Sequence, residues 1–202
     1  AVCDAVVRDL AVRGPSLVAV SGDLTQRARA HQFRAARAFL DRLPTPLVAV
    51  PGNHDIPLVN LVARFARPLG GYRRFIADDP EPFLHDEDVA VMGVNTARPG
   101  KWKDGRLSLA QIERIRAGFG PIPERVFKVI VTHHPFIPQP SEREHKLVER
   151  GFEALQAAER AGVDLLLAGH LHFGFTGDVR PHYLSIRRSM LVAQAGTATS
   201  HR

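Results

Sequence analysis

One cysteine, Cys3, is all the thiol that the 202-residue chain carries. An intrachain disulfide and a thiolate metal cluster are therefore both excluded, and a reducing, cytoplasmic setting is expected. Long apolar runs are missing as well, and none approaches the roughly 20 residues of a membrane-crossing helix. There is no basic tail and no platform of interleaved aromatics. The formal net charge of +6 comes from short Arg pairs, such as Arg73 and Arg74 or Arg187 and Arg188, scattered among acidic residues. Such pairs read as a solvated surface, with attraction of anionic substrates as the alternative, and nucleic acid is not expected as a partner. The first residues show neither an initiator Met nor the charged-then-apolar order of a signal peptide. Linkers, repeats and low-complexity tracts are absent too.

What is present is the composition of a soluble globular protein, 45% hydrophobic and 24% charged, in a length suited to a single domain over residues 1–202. Short β-rich runs alternate with helical patterns, which predicts an α/β fold. The expected strands are Leu17 to Val20, Leu47 to Val50, Val89 to Val94, Val126 to Val131, Leu165 to Ala168 and Met190 to Ala193. Phe33, Ala36 and Leu40 mark one core-facing helix stripe, and Leu147, Gly151, Phe152, Leu155 and Ala158 another. The stretch from Pro68 to Pro82, with Gly70-Gly71, Asp78-Asp79 and little periodicity, reads as a long surface loop or lid.

Four polar motifs directly follow apolar runs: Gly22-Asp23, Gly52-Asn53-His54-Asp55, His133-His134-Pro135 and Gly169-His170-Leu171-His172. Each position is the carboxyl end of a strand, the edge where open α/β sheets bind ligands. Carboxylate, amide oxygen and imidazole suit Mn, Fe, Zn or Co rather than thiolate-seeking metals, and the preceding glycines let the backbone turn close to an ion or phosphate. One histidine after a strand is commonly a cap or a core hydrogen-bond partner. Four such motifs together point to a site. His31, His85, His145, His182 and His201 lack this context, so surface or structural roles are expected for them.

In order and spacing these motifs resemble the signature of the calcineurin-like metallophosphoesterases. Residues 22–28 and Asn95-Thr96-Ala97-Arg98 are similar to the bacterial branch grouped with cyclic-nucleotide phosphodiesterases. The resemblance implies a sandwich of mixed β-sheets flanked by helices, two divalent metal ions, and metal-dependent hydrolysis of a small phosphate ester by attack of metal-bound hydroxide. It makes Asp23 the bridge between the ions, gives Asn53, His133 and His170 to one ion and His172 to the other, and places Asn53 and His54 at the phosphate. His54 would assist the leaving oxygen, with Asp55 orienting its ring. Arg27 and His134 read as supports behind this layer. These motifs fix the phosphate and not what is esterified to it, so a cyclic nucleotide, another nucleotide and a lipid-precursor pyrophosphate all remain open. The number of subunits is open as well.

The family also opens with a strand ending in Asp-X-His, which supplies two ligands to the first ion, and this sequence contains no such motif. Ala1 to Arg13 instead reads as the helix that follows that strand, with Ala5, Val6, Leu10 and Val12 as its apolar stripe. The expectation is a domain truncated at its amino end, and at its carboxyl end beyond residue 200, that holds only one ion. A binding protein that has lost catalysis is the rival reading.

Overall fold

The computed structural model describes residues 2–138 and 147–198. Helix α1 (Val2–Arg13) leads into β1 (Val18–Val20), α2 (Ala30–Leu40) and β2 (Leu47–Ala49). Two short helices follow, α3 (Leu61–Ala66) and α4 (Gly70–Phe75), and then β3 (Phe83–His85) and β4 (Val89–Gly93). The remainder is α5 (Leu109–Phe119), β5 (Phe127–Val131), α6 (Gly151–Arg160), β6 (Leu165–Ala168), β7 (Phe175–Asp178) and β8 (Leu191–Gln194).

β1 and β2 form a parallel ladder of their own, with Val18 opposite Leu47. The other six strands form a sheet in the order β3-β4-β5-β6-β8-β7, in which the central four are parallel and β3 and β7 are antiparallel edges. Because side chains alternate along a strand, each strand feeds two layers. On one face of the larger sheet Met92, Ile130, Leu166 and Val192 pack under Ile115 and Phe119 of α5 and Leu155 of α6. On the other face Val91, Val129 and Val131 meet Val48 and Val50. The opposite side of the small ladder, Val18 and Val20, packs against Phe33 and Leu40 of α2 and Tyr72 of α4. The result is four layers, helix, sheet, sheet and helix, as the mixed-sheet sandwich expectation requires. Strands buried on both faces read as continuous apolar runs, which is why the six expected strands lie within a residue or two of those observed. Among the described residues no helix is long and apolar enough to cross a membrane.

Several expectations need correction. Residues 68–82 are not an open loop: α4 buries Tyr72, whose hydroxyl donates to Ala49 O at 2.9 Å, and Ile76 follows it into the core. Six residues beginning Gly-Gly are too few to show a helical stripe, so tertiary burial defines this helix. Helix α1 packs through Val7 and Leu10, whereas Val12 is 87% exposed and Ala5 also faces out. Phe152 is partly exposed and stacks on Tyr183 at 5.6 Å rather than entering the core. β3 and β7, edge strands of three and four residues, are too short to show a pattern.

Candidate metal centre

The parallel run of β1 and β2 delivers the two following loops side by side. Gly22 has φ +90°, and a Cβ there would come within 2.6 Å of Gly52 N. A Cβ on Gly52 would in turn run into the Asp23 carboxylate. Only glycine allows these backbones to close on one another, and that closure brings Asp23 against the 53–55 turn, where its Oδ1 accepts from His54 N–H at 3.0 Å.

Asp55 secures this junction. Its carboxylate, fully buried, accepts from Gly52 N–H (2.9 Å), Leu24 N–H (3.2 Å), Thr25 N–H (2.9 Å) and the Thr25 hydroxyl (3.0 Å). Burial pushes its pKa up to about 7, although the Gly52 N–H and the other donors pull the other way. The expected pairing with the His54 ring does not occur: His54 Nδ1–H donates to Gln26 O at 2.9 Å. Asp55 therefore clamps one loop to the other and takes no part in orienting His54. Asp55→Asn would turn an amide NH2 toward at least one of these N–H donors and strand it. It is expected to cost about 3 kcal/mol of stability, read as a lower urea midpoint. An unchanged midpoint would remove the clamp assignment.

The larger sheet supplies the histidines. His133, 1% exposed, follows β5, and its Nδ1–H donates to Ser21 O at 2.7 Å. That bond leaves the lone pair on Nε2, which faces Asn53 Oδ1 at 3.0 Å and Asp23 Oδ1 at 3.4 Å. Asn53 is oriented by its own Nδ2–H, which donates to Trp102 O at 3.2 Å, so its oxygen is turned inward. His170 Nδ1 lies 3.2 Å from His133 Nε2. Burial lowers the His133 pKa, partly opposed by Asp23 and by the Ser21 bond, and His54 and His172 push it down further. The neutral imidazole is thus favoured.

Asp23 Oδ1, Asn53 Oδ1 and His133 Nε2 therefore converge as lone-pair donors, with no proton on His133 Nε2 to satisfy the two oxygens. Donors bound at about 2.1 Å to one ion stand roughly 3 Å apart, and the separations here are 3.0 to 3.4 Å. The donor set fits a divalent ion. His134 also places a ring nitrogen within 4.8 Å of those of His133 and His170, but both its nitrogens are committed. Nε2–H donates to Lys103 O (2.9 Å), and Nδ1 accepts from the Thr96 hydroxyl (2.8 Å). Burial holds its pKa well down, and it supports the cluster from behind, as expected.

His172 stands apart from this set. It is exposed, and its Nδ1 bonds the Thr197 hydroxyl at 2.7 Å. Asp23, His170 and His172 have φ of 55°, 72° and 57°, left-handed conformations that cost a residue with a Cβ about 1–2 kcal/mol each, and such strain gathers at functional sites. Arg27 is exposed, and its backbone N–H donates to Gln32 Oε1. His31, His85 and His182 are exposed, as expected for surface residues, while His145 and His201 lie outside the described residues. Ser21, Gln26 and Trp102 contribute through backbone carbonyls, which side-chain chemistry cannot reveal. Thr25 was within reach, since it sits in the motif that begins at Gly22.

The family model for calcineurin-like phosphoesterases matches residues 4–174, which contain Asp23, Asn53, His54, Asp55, His133, His170 and His172. The chain belongs to the calcineurin-like phosphoesterase family. Among curated relatives, a probable cyclic nucleotide phosphodiesterase from a Synechococcus strain is 27% identical over 175 residues, 85% of this chain and 63% of that protein. A glycerophosphodiester phosphodiesterase from Enterobacter lignolyticus is 28% identical over 166 residues, 78% of this chain and 56% of that protein. The chain thus spans less than two thirds of the length of either relative. In fold it is similar to a purple acid phosphatase from yellow lupin, Lupinus luteus (TM-score 0.68, 12% identity, covering 96% of this chain and 38% of that one). It is equally similar to a dimetal phosphatase from Danio rerio (TM-score 0.68, 14% identity, 98% and 77%). The family assignment and the sandwich fold read from the motifs are both borne out.

Proposed function

We propose that this chain carries the metal site of a phosphodiester hydrolase, in which Asp23, Asn53, His133 and His170 hold one divalent ion and Asp23 and His172 are left for a second. The observation that carries the proposal is the convergence of the His133 Nε2 lone pair on two oxygen acceptors, an arrangement that a cation satisfies. Manganese and iron suit this mixed oxygen and imidazole set. The phosphodiester preference rests on the names of the two curated relatives, and a cyclic nucleotide is the finer candidate.

A bound divalent ion supplies acidified water and offsets negative charge on the phosphoryl oxygens. The chain's own residues do the rest. Asn53, fixed by Trp102 O, would present Oδ1 to the ion and stand beside the phosphate. His54, with Nδ1–H held by Gln26 O, keeps Nε2 for the substrate. In its imidazolium form it passes the Nε2 proton to the departing alcohol oxygen as the P–O bond breaks.

The test strips the protein with a chelator and reloads it with Mn2+, following heat by calorimetry and hydrolysis of bis(4-nitrophenyl) phosphate by absorbance. One ion is expected to bind well ahead of any second, and turnover is expected only in the reloaded protein. An ion bound without turnover of any phosphomonoester or phosphodiester would favour the binding-protein reading.

A further inference from the structure

The segment 98–108 has two sides. One side serves the metal centre: Trp102 O accepts from Asn53, Lys103 O accepts from His134, and Gly105 lies so close to the His134 ring that a Cβ would overlap it. The other side, with Arg150, lines a cavity of about 420 Å3. Four cationic side chains border that cavity, Arg98, Lys101, Arg106 and Arg150, with Leu107 and Ser108 between them and no acidic residue in its lining.

The counter-charge at hand is small. Glu149 pairs with both Lys101 (3.0 Å) and Arg106 (3.3 Å). Arg98 is fixed in place by Asn95 O, Ala97 O and the Gln111 side chain, and burial together with the repulsion of Arg106 lowers its pKa against the pull of Glu81. Arg150 stands at the amino end of the ten-residue α6, where the helix dipole adds positive potential,. Like charges gathered around a partly desolvated cavity focus a field that attracts anions, and an anion there relieves their mutual repulsion. Guanidinium groups pair with phosphate oxygens through two hydrogen bonds at once.

We propose that this cavity is a second binding site, separate from the metal centre, for a phosphate-type dianion. The proposal does not depend on the hydrolase reading. A free phosphate and a distal phosphate of the substrate share this chemistry. Occupancy would also tie the 98–108 segment, whose carbonyls at Trp102 and Lys103 hold Asn53 and His134 in place.

The test is made without metal, so that the two sites are read separately. Inorganic phosphate is titrated into chelator-treated protein at pH 8 and constant ionic strength, with the fluorescence of Trp102, the sole tryptophan of the chain, as the signal. A saturable change is expected in the unmodified protein and in His170→Ala. Arg106→Gln/Arg150→Gln should weaken it at least about tenfold, since two charge-assisted contacts are lost. If circular dichroism shows that the double variant is unfolded, Lys101→Gln alone should weaken binding about threefold. Absence of saturation, or equal affinity in the unmodified and substituted proteins, overturns the proposal. Manganese then separates the sources. In Mn2+-loaded protein a nucleoside 5′-diphosphate is weakened by Arg106→Gln/Arg150→Gln only when the cavity takes a distal phosphate of the substrate, since coordination to the metal alone does not involve these side chains. Unchanged affinity assigns the site to free phosphate.

Discussion

His133→Ala is expected to weaken binding of Mn2+ by at least about 100-fold and to remove metal-dependent turnover with it. The loss exceeds that of one donor. His133 Nε2 faces both Asn53 Oδ1 and Asp23 Oδ1, while Nδ1–H anchors Ser21 O. Removing the ring takes one donor from the set and unties the loop after β1 from the loop after β5. Residues that merely orient metal ligands cost 10- to 100-fold in affinity when replaced, and a ligand with its own orienting bond should cost more. Competition against a chromophoric chelator measures the affinity, and near-UV circular dichroism verifies that the fold survives. An affinity within threefold of the unmodified protein would mean that the ion, if any, sits elsewhere.

His54→Ala should separate chemistry from binding. Its ring makes its contact with Gln26 O and is not needed to complete the donor set around His133, so Mn2+ affinity should change by less than about threefold. Turnover at saturating metal should nonetheless fall roughly 100-fold or more, the usual scale for a lost general acid. The loss should shrink for substrates whose leaving group is already a weak base, such as 4-nitrophenolate, and grow for alkyl leaving groups that need a proton. A uniform loss across leaving groups would assign His54 to phosphate binding instead.

The candidate metal centre was legible because each of its loops follows a strand buried on both faces, and polar residues at the end of such an apolar run stand out. Asp23, Asn53, His133 and His170 meet as the motifs implied. Asp55 was legible as a site residue but not in its role, because its partners are backbone amides of Gly52, Leu24 and Thr25, and amides carry no mark in a sequence. Trp102 escaped for the same reason, acting through its carbonyl. Helix α4 was hidden by its brevity and paired glycines. Helix α5 is absent from the expected elements although Ser108 and Gln111 form a capping box at its start, the Ser-x-x-Gln pattern that announces a helix amino terminus.

The four proposed donors are divided between ladders that share no strand: Asp23 and Asn53 follow the β1–β2 pair, and His133 and His170 follow strands of the six-stranded sheet. An ion held by all four is therefore a rivet between two plates. The plates already touch through Val48 and Val50 against Val91, Val129 and Val131, a contact that resists separation but tolerates sliding. Metal bonds would add resistance to that sliding. Chelation would then loosen the smaller plate and the helices riding on it before the larger sheet yields, so that the chain comes apart in two stages rather than one.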